Sequence, residues 1–343
     1  MRFKLLSVML LLVSFLLLGV LSRSIPILGL DDTAAVSAIK PQEPVVPFSP
    51  PPVDTPAPTK VPPTPTAEPT GSPMPTDTPA PAPAAVVEHP WQPSVTVIST
   101  TITSDDPLKN ETAYDVDGRA LLANQMHLTL PAEGYQILII HTHATEAYTP
   151  EGADQYEAAA DYRTTDAAHS VIRVGEVLAQ ALESYGLSVL HDTELYDWPS
   201  YNGSYARSGE AIEEYLAQYP SIAMVIDLHR DAIGDDEKMY KTVSSDEGAA
   251  QIMFVMGSDG SFQYPDWREN LGLAMSLQAL VDEQYPTLMR PTLLCDYRYN
   301  QQLTTGSLLM EIGAAGNTLQ EAIEAAELFA QAVGPSLASC IRP

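Results

Sequence analysis

Between residues 41 and 90 the chain holds 18 of its 30 prolines, interleaved with Thr, Ala and Ser, as in PAPTKVPPTPTAEPT. Proline fixes φ and removes a backbone donor, so neither helix nor sheet is open to this stretch. Its apolar side chains are too few to offset the entropy of ordering. The composition predicts an extended spacer of polyproline II character, at roughly 3 Å per residue and on the order of 100 Å overall. Whatever folds must therefore fold on one side of it.

On the N-terminal side there is little to fold. Residues 5 to 21 read LLSVMLLLVSFLLLGVL, preceded by Arg2 and Lys4. An uncharged run of this length is at the short end for a bilayer span. The flanking cations leave the N-terminus in the cytoplasm and send the rest outward. Ser22-Arg23-Ser24 fits a signal-peptide cleavage site only loosely. An uncleaved anchor over residues 1–30 is expected, then a spacer over 31–94, then an extracytoplasmic folded domain over 95–343.

That last region carries nearly all of the charge. The chain has 44 acidic and 17 basic side chains, a formal net charge of −27. Nucleic acid is an unsuitable partner, because phosphate binding needs a Lys/Arg-rich surface. Two cysteines, Cys295 and Cys340, provide neither a disulfide framework nor a four-thiolate metal site.

The apolar pattern over 135–333 alternates between two periods. Short apolar runs at 135–140, 187–190, 222–226, 251–256 and 308–312 predict buried strands. Apolar residues at 171, 174, 178, 181 and 182 share one helical face, and Gly186 is the natural stop. Further helices are predicted over 204–219, 267–285 and 319–333. Residues 95–133, Thr- and Val-rich at first, read as short strands or an edge hairpin. Strands alternating with helices imply a three-layer α/β domain whose mostly parallel sheet is covered on both faces.

In open α/β sheets, ligands sit outside the carboxyl ends of the strands. Three predicted strands deliver a histidine or a carboxylate there. His141-Thr142-His143-Ala144-Thr145-Glu146 follows the first, Asp227-Leu228-His229-Arg230-Asp231 follows AMVI, and Glu311 sits within SLLMEIG. His143 and Glu146, three apart on a turn, point the same way. With His229 they make a set of two imidazoles and one carboxylate, the donor set of a catalytic zinc site with one position open. Glu311 is the expected general base. A carboxylate inside an apolar run costs several kcal/mol to bury unless it is paired or metal-associated. Zinc polarising a carbonyl suggests amide hydrolysis. His141, two residues before His143, stays open as the ligand itself or as a group behind it.

Other residues receive blander readings. His169 caps a helix or sits in solvent, and His191 with Asp192 is a lesser candidate for the cleft. Arg163 and Arg230 are expected to pair with nearby acids. Met253 and Met256 read as core, and the acids of SSDEG and GDDEK as solvated loops. No GxSxG, HExxH or P-loop lysine motif is present.

The blocks ILIIHTHATEAY, YRTTDAAHSVIRVGEVLAQALESYGLSVLHD, SYARS, IDLHRDA and YNQQLTTGSLLMEIGAAGNTLQEA occur in that order. Together they resemble the stage II sporulation protein P family over about residues 135–333. That family is similar to zinc N-acetylmuramoyl-L-alanine amidases, with an α/β fold related to zinc carboxypeptidases. The resemblance implies cleavage of peptidoglycan at the amide joining muramic acid to the stem peptide, and of peptide cross-links, during forespore engulfment. It also implies a membrane-bound partner that cuts the glycan strand. Carried over, the family's His motif falls on His141 to Glu146, its second His on His229 and its catalytic Glu on Glu311. The secreted amidases take their ligand Glu from near the first helix. Here Asp166, Ala167, Ala168 and His169 stand before Val171, so Glu146 is the carboxylate that remains. A non-catalytic wall-binding scaffold of the same fold is the alternative. A glycan-cleaving hydrolase using paired acids is a third reading.

Overall fold

Each apolar run of the C-terminal region becomes a strand of one sheet. The computed structural model describes residues 94–124, 126–149, 155–157, 162–234 and 238–343. The anchor expected over 1–30, and all of the expected spacer except Ser94, lie outside the described residues. Among the described residues no helix is long and apolar enough to cross a membrane.

The main sheet uses Leu108–Asn110 (β2), Ile137–Ile140 (β4), Val189–His191 (β6), Met224–Asp231 (β7), Ile252–Gly257 (β9), Thr292–Cys295 (β10) and Ser307–Ala314 (β11). Its order is β2-β10-β9-β11-β7-β4-β6. Neighbouring strands are parallel except β9 and β11, which run antiparallel. The sheet is thus two parallel blocks joined along one antiparallel seam. From β4 the chain passes to β6 on one side and then to β7 on the other. The crevice beyond β4 and β7 is therefore a topological switch point, where a ligand site is expected.

Helices cover both faces, giving the three layers. Val171–Glu183 (α2), Trp267–Gln284 (α4) and Leu319–Ala338 (α5) share the larger core with Ile137, Ile139, Met224, Leu228, Phe254, Met310 and Ile312. Ser204–Gln218 (α3) covers the opposite face, packing Ile212 on Leu138, Ile140 and Val225. Local chemistry sets the helix ends. The Ser170 hydroxyl accepts from the Ile172 amide to start α2, and Gly186 follows its end at φ +84°. Thr318 and Glu321 form a reciprocal capping box that starts α5.

Of the two readings of 95–133, short strands form and the edge hairpin does not. Ser94–Thr100 (β1) pairs in parallel with Lys238–Thr242 (β8) and antiparallel with Gln155–Glu157 (β5), in a small second sheet. β2 goes instead to the edge of the main sheet, followed by the short helix Gly118–Leu122 (α1). Leu130–Pro131 (β3) pairs with Ile341–Arg342 (β12). Thr/Val composition marks strands but not their partners, and these partners are distant in sequence.

Candidate functional site

Strand β4 ends at Ile140 and the chain turns at once. Strict strand alternation would put His141 and His143 on the same face. The turn at 142–145, closed by the Glu146 amide donating to the His143 carbonyl at 3.0 Å, separates them. Two buried carboxylates pin this turn. Asp227 accepts from the Thr142 amide at 2.8 Å and from its hydroxyl at 2.7 Å. Asp197 accepts from the Thr145 amide at 3.2 Å and from its hydroxyl at 2.5 Å.

The pinned turn presents His143 and Glu146 to β7. The His143 ring lies edge-on to His229 with centroids 5.2 Å apart, and its face is stacked on Tyr201 at 4.5 Å. Glu146 Oε2 accepts from the Arg230 amide at 3.1 Å and lies 3.4 Å from His229 Nδ1. The other ring nitrogen of His229, Nε2, is 2.9 Å from Asp227 Oδ1, though without hydrogen-bond alignment. Arg163 bridges outward, with Nη2 3.5 Å from Glu146 Oε1 and Nη1 2.6 Å from Asp197 Oδ2.

Glu311 joins from β11. It is the register partner of His229 on the neighbouring parallel strand, so the two backbones are about 4.8 Å apart. Its side chain is buried, and Oε2 has no hydrogen-bond partner.

Burial and charge set the protonation of the group. Burial pushes the His143 imidazole down to about 3, keeping it neutral. Burial likewise works against ionised Glu146, but its hydrogen bond with His229 and the Arg230 charge outweigh it and hold the carboxyl well below the usual range. Burial also disfavours charge on His229, yet the Asp227 and Glu146 carboxylates raise it well above an ordinary histidine. Glu311 goes the other way. Burial, reinforced by the Asp231 charge, raises it to about 8. An ionised Glu146 in the turn after β4 and a Glu311 carboxyl poised near neutrality on β11 thus flank His229, a split of protonation states that acid–base chemistry uses.

The structure therefore brings His143, Glu146, His229 and Glu311 together, and it leaves His141 out. His141 Nδ1 donates to the Leu228 carbonyl at 2.9 Å, which leaves Nε2 to accept from His191 Nε2 at 2.9 Å. The pair packs under α2, where a Cβ on Gly175 would fall 2.6 Å from the His141 ring. His191 is thus a partner for His141 and does not line the cleft. His169 is exposed and pairs with Asp166. Arg163 does pair with acids, whereas Arg230 binds the carbonyls of Ala147 at 2.9 Å and Tyr162 at 2.8 Å. Met253 and Met256 are buried. Asp246 and Glu247 are exposed, and residues 235–237 lie outside the described residues. Cys295 is buried and its thiol is pushed up by burial, which disfavours a nucleophilic role.

Sequence reasoning gave no role to Asp197 or Asp227. Asp227 carries a usable signal, because it stands two residues before His229 on a strand and so shares its face. Asp197, in the loop after β6, carries none.

The profile of the stage II sporulation protein P family matches residues 92–334. The stage II sporulation protein P of Bacillus subtilis (strain 168) is 29% identical over 209 residues, covering 57% of this chain and 49% of that relative. The chain thus matches about half the length of this curated relative. Among solved structures, an N-acetylmuramoyl-L-alanine amidase from Clostridium difficile 630 aligns at TM-score 0.38 and 14% identity, covering 60% of this chain and 97% of that one. AmiC2 of Nostoc punctiforme, another such amidase, aligns at TM-score 0.34 and 13% identity, covering 60% and 98%. At these scores the structural likeness carries no argument about chemistry.

Proposed function

The chain belongs to the stage II sporulation protein P family, and from that premise we propose that it is a zinc-dependent peptidoglycan hydrolase of sporulation. Its substrate bonds are the N-acetylmuramoyl-L-alanine amide and peptide cross-links. The observation that carries this reading is Glu311. A buried carboxyl with an unpartnered oxygen and a pKa raised to about 8 stands in register with His229.

The donors suit zinc in kind. Two imidazoles and one carboxylate, from His143, His229 and Glu146, are the usual set for a catalytic site. As the side chains stand, no three His, Cys, Asp or Glu groups among the described residues sit at metal-ligating spacing. The His229–Glu146 contact is an ion pair, and a cation would take the place of its proton. When bound, zinc supplies Lewis acidity at the scissile carbonyl. Asp227, 2.9 Å from His229 Nε2, leaves Nδ1 to face Glu146 and supplies a negative charge behind the ring. Glu311 takes a proton from the attacking water and returns it to the departing nitrogen.

The remaining elements of the reading are the N-terminal membrane anchor, an extracytoplasmic position and a glycan-cleaving sporulation partner. They rest on the apolar N-terminal run and on the family.

Purified protein incubated with isolated cell walls should expose new amino termini. Release should stop with a chelator and in Glu311→Gln. Release that is absent or indifferent to chelation contradicts the reading, and new reducing ends in place of amines would indicate a glycan-cleaving enzyme.

A further inference from the structure

Tyr205 is the second residue of α3, and its ring reaches both site histidines. It lies parallel to the His229 ring at 6.4 Å and edge-on to the His143 ring at 5.4 Å. The turn of helix that carries it is fixed from two sides. Asn300 Nδ2 donates to the Tyr205 carbonyl at 2.8 Å and to Ser208 Oγ at 3.2 Å. Ser208 Oγ in turn is 2.7 Å from Thr142 Oγ1, in the same turn that Asp227 pins. The ring is thus held relative to His143 and His229 before any substrate arrives.

Its hydroxyl differs from those of three other tyrosines that are wholly or partly buried. The Tyr148 hydroxyl donates to the Ile312 carbonyl at 3.0 Å, the Tyr196 hydroxyl to Asp192 at 2.5 Å, and the Tyr264 hydroxyl is bonded to Asn270. Sheltered tyrosine hydroxyls usually find such partners. Tyr205 is partly buried, and its hydroxyl has no hydrogen-bond partner among the described residues, although Asp227, Glu311 and Glu146 are the charged groups around it. A ring needed only as a wall for the imidazoles would be served by phenylalanine. The cations beside the site are engaged elsewhere, Arg163 by Asp197 and Arg230 by backbone carbonyls.

We propose that the Tyr205 hydroxyl is a second catalytic group, the hydrogen-bond donor to the scissile carbonyl oxygen as that oxygen takes on negative charge. This rests on the hydrolase reading above. Water oxygen adds to the carbonyl carbon, and the C=O π pair moves onto the carbonyl oxygen. Glu311 accepts one water proton. Tyr205 donates a hydrogen bond to the new oxyanion and keeps its proton. On collapse the oxygen pair re-forms C=O, the C–N bond breaks, and the proton from Glu311 goes to the leaving nitrogen. A fixed donor that meets charge only as the charge forms lowers the barrier without tightening the ground state.

The test compares wild type with Tyr205→Phe on a defined muropeptide, following amine release, together with calorimetric affinity for a phosphinate analogue of the tetrahedral intermediate. Phenylalanine keeps the ring contacts, so zinc content and melting temperature should be unchanged. The kcat should fall about 10²–10³-fold, the usual loss for one oxyanion donor, with KM nearly constant. Affinity for the phosphinate should fall in parallel. A kcat near wild type, a loss confined to KM, or a drop in zinc content or melting temperature would overturn the assignment. No amine release by the wild type would instead remove the hydrolase reading on which it rests.

Discussion

The two faces of the main sheet are written in alternate letters of the same strands. Along β7, Met224, Ile226 and Leu228 go to the core under α2, α4 and α5, while Asp227, His229 and Asp231 go to the face that α3 covers only in part. Along β11, Leu308, Met310 and Ile312 take the first face, and Glu311 takes the second. On the apolar face these strand side chains need no partner. On the other face most charges have one across a loop: Thr142 for Asp227, Arg290 at 2.7 Å for Asp231, and the Arg230 amide of β7 for Glu146. Buried charge is tolerated only with such partners. Glu311 Oε2 is the carboxylate oxygen here left without a hydrogen-bond partner, and His229 Nε2 and Arg290 Nε share that lack.

Changes on the two faces should therefore separate activity from stability. The largest effect is expected for Glu311→Gln, with turnover lost by about 10²–10⁴-fold and the fold intact. Because burial raises this carboxyl to about 8, its ionisation costs stability as pH rises from the ordinary carboxylate range through 8. In the presence of a chelator the variant should thus melt above wild type, by a margin that grows from pH 5 to pH 9. A variant that melts lower at high pH would break the contrast.

Phe254→Ala is the converse. Phe254 is fully buried on the apolar face, edge-on to Phe329. Its loss should cost about 3–5 kcal/mol in denaturant unfolding, with turnover per folded molecule unchanged. Asp197→Asn should cost less, about 1–3 kcal/mol, because it weakens the acceptor for the Thr145 amide and hydroxyl and for Arg163. It should also lower activity, since the same turn carries His143 and Glu146. Activity at the wild-type level would show that the turn holds without it. The smallest effect is expected for Gly175→Ala, which pushes on the His141–His191 pair. About 1–2 kcal/mol of overpacking strain is expected, with zinc affinity nearly unchanged. A large loss of zinc would place His141 in the site after all.

Much of this arrangement was legible in the sequence. Strands β4, β7, β9 and β11 and helices α2 to α5 follow from apolar runs and helical periodicity, because those patterns are dictated by burial itself. β7 extends past its apolar run, since Asp227 and His229 continue the strand while breaking the pattern, and Glu311 interrupts the run inside β11. β8, reading KMYKT, and β10, reading TLLC, are too short or too charged to announce themselves. The antiparallel seam between β9 and β11 leaves no sequence trace, because strand direction depends on connections and not on composition. In the candidate site, His143, Glu146, His229 and Glu311 could be singled out because each stands within or just after an apolar run. Asp197, Arg163 and Tyr205 act across long sequence separations, and nothing local distinguishes them from solvated polar residues.

Zinc content tests the central assignment most directly. Metal analysis of purified wild type, Glu311→Gln and the double variant His143→Ala His229→Ala, after loading and gel filtration, should give about one zinc per chain in the first two and none in the third. A double variant that still carries zinc, or a wild type that never does, would contradict the account.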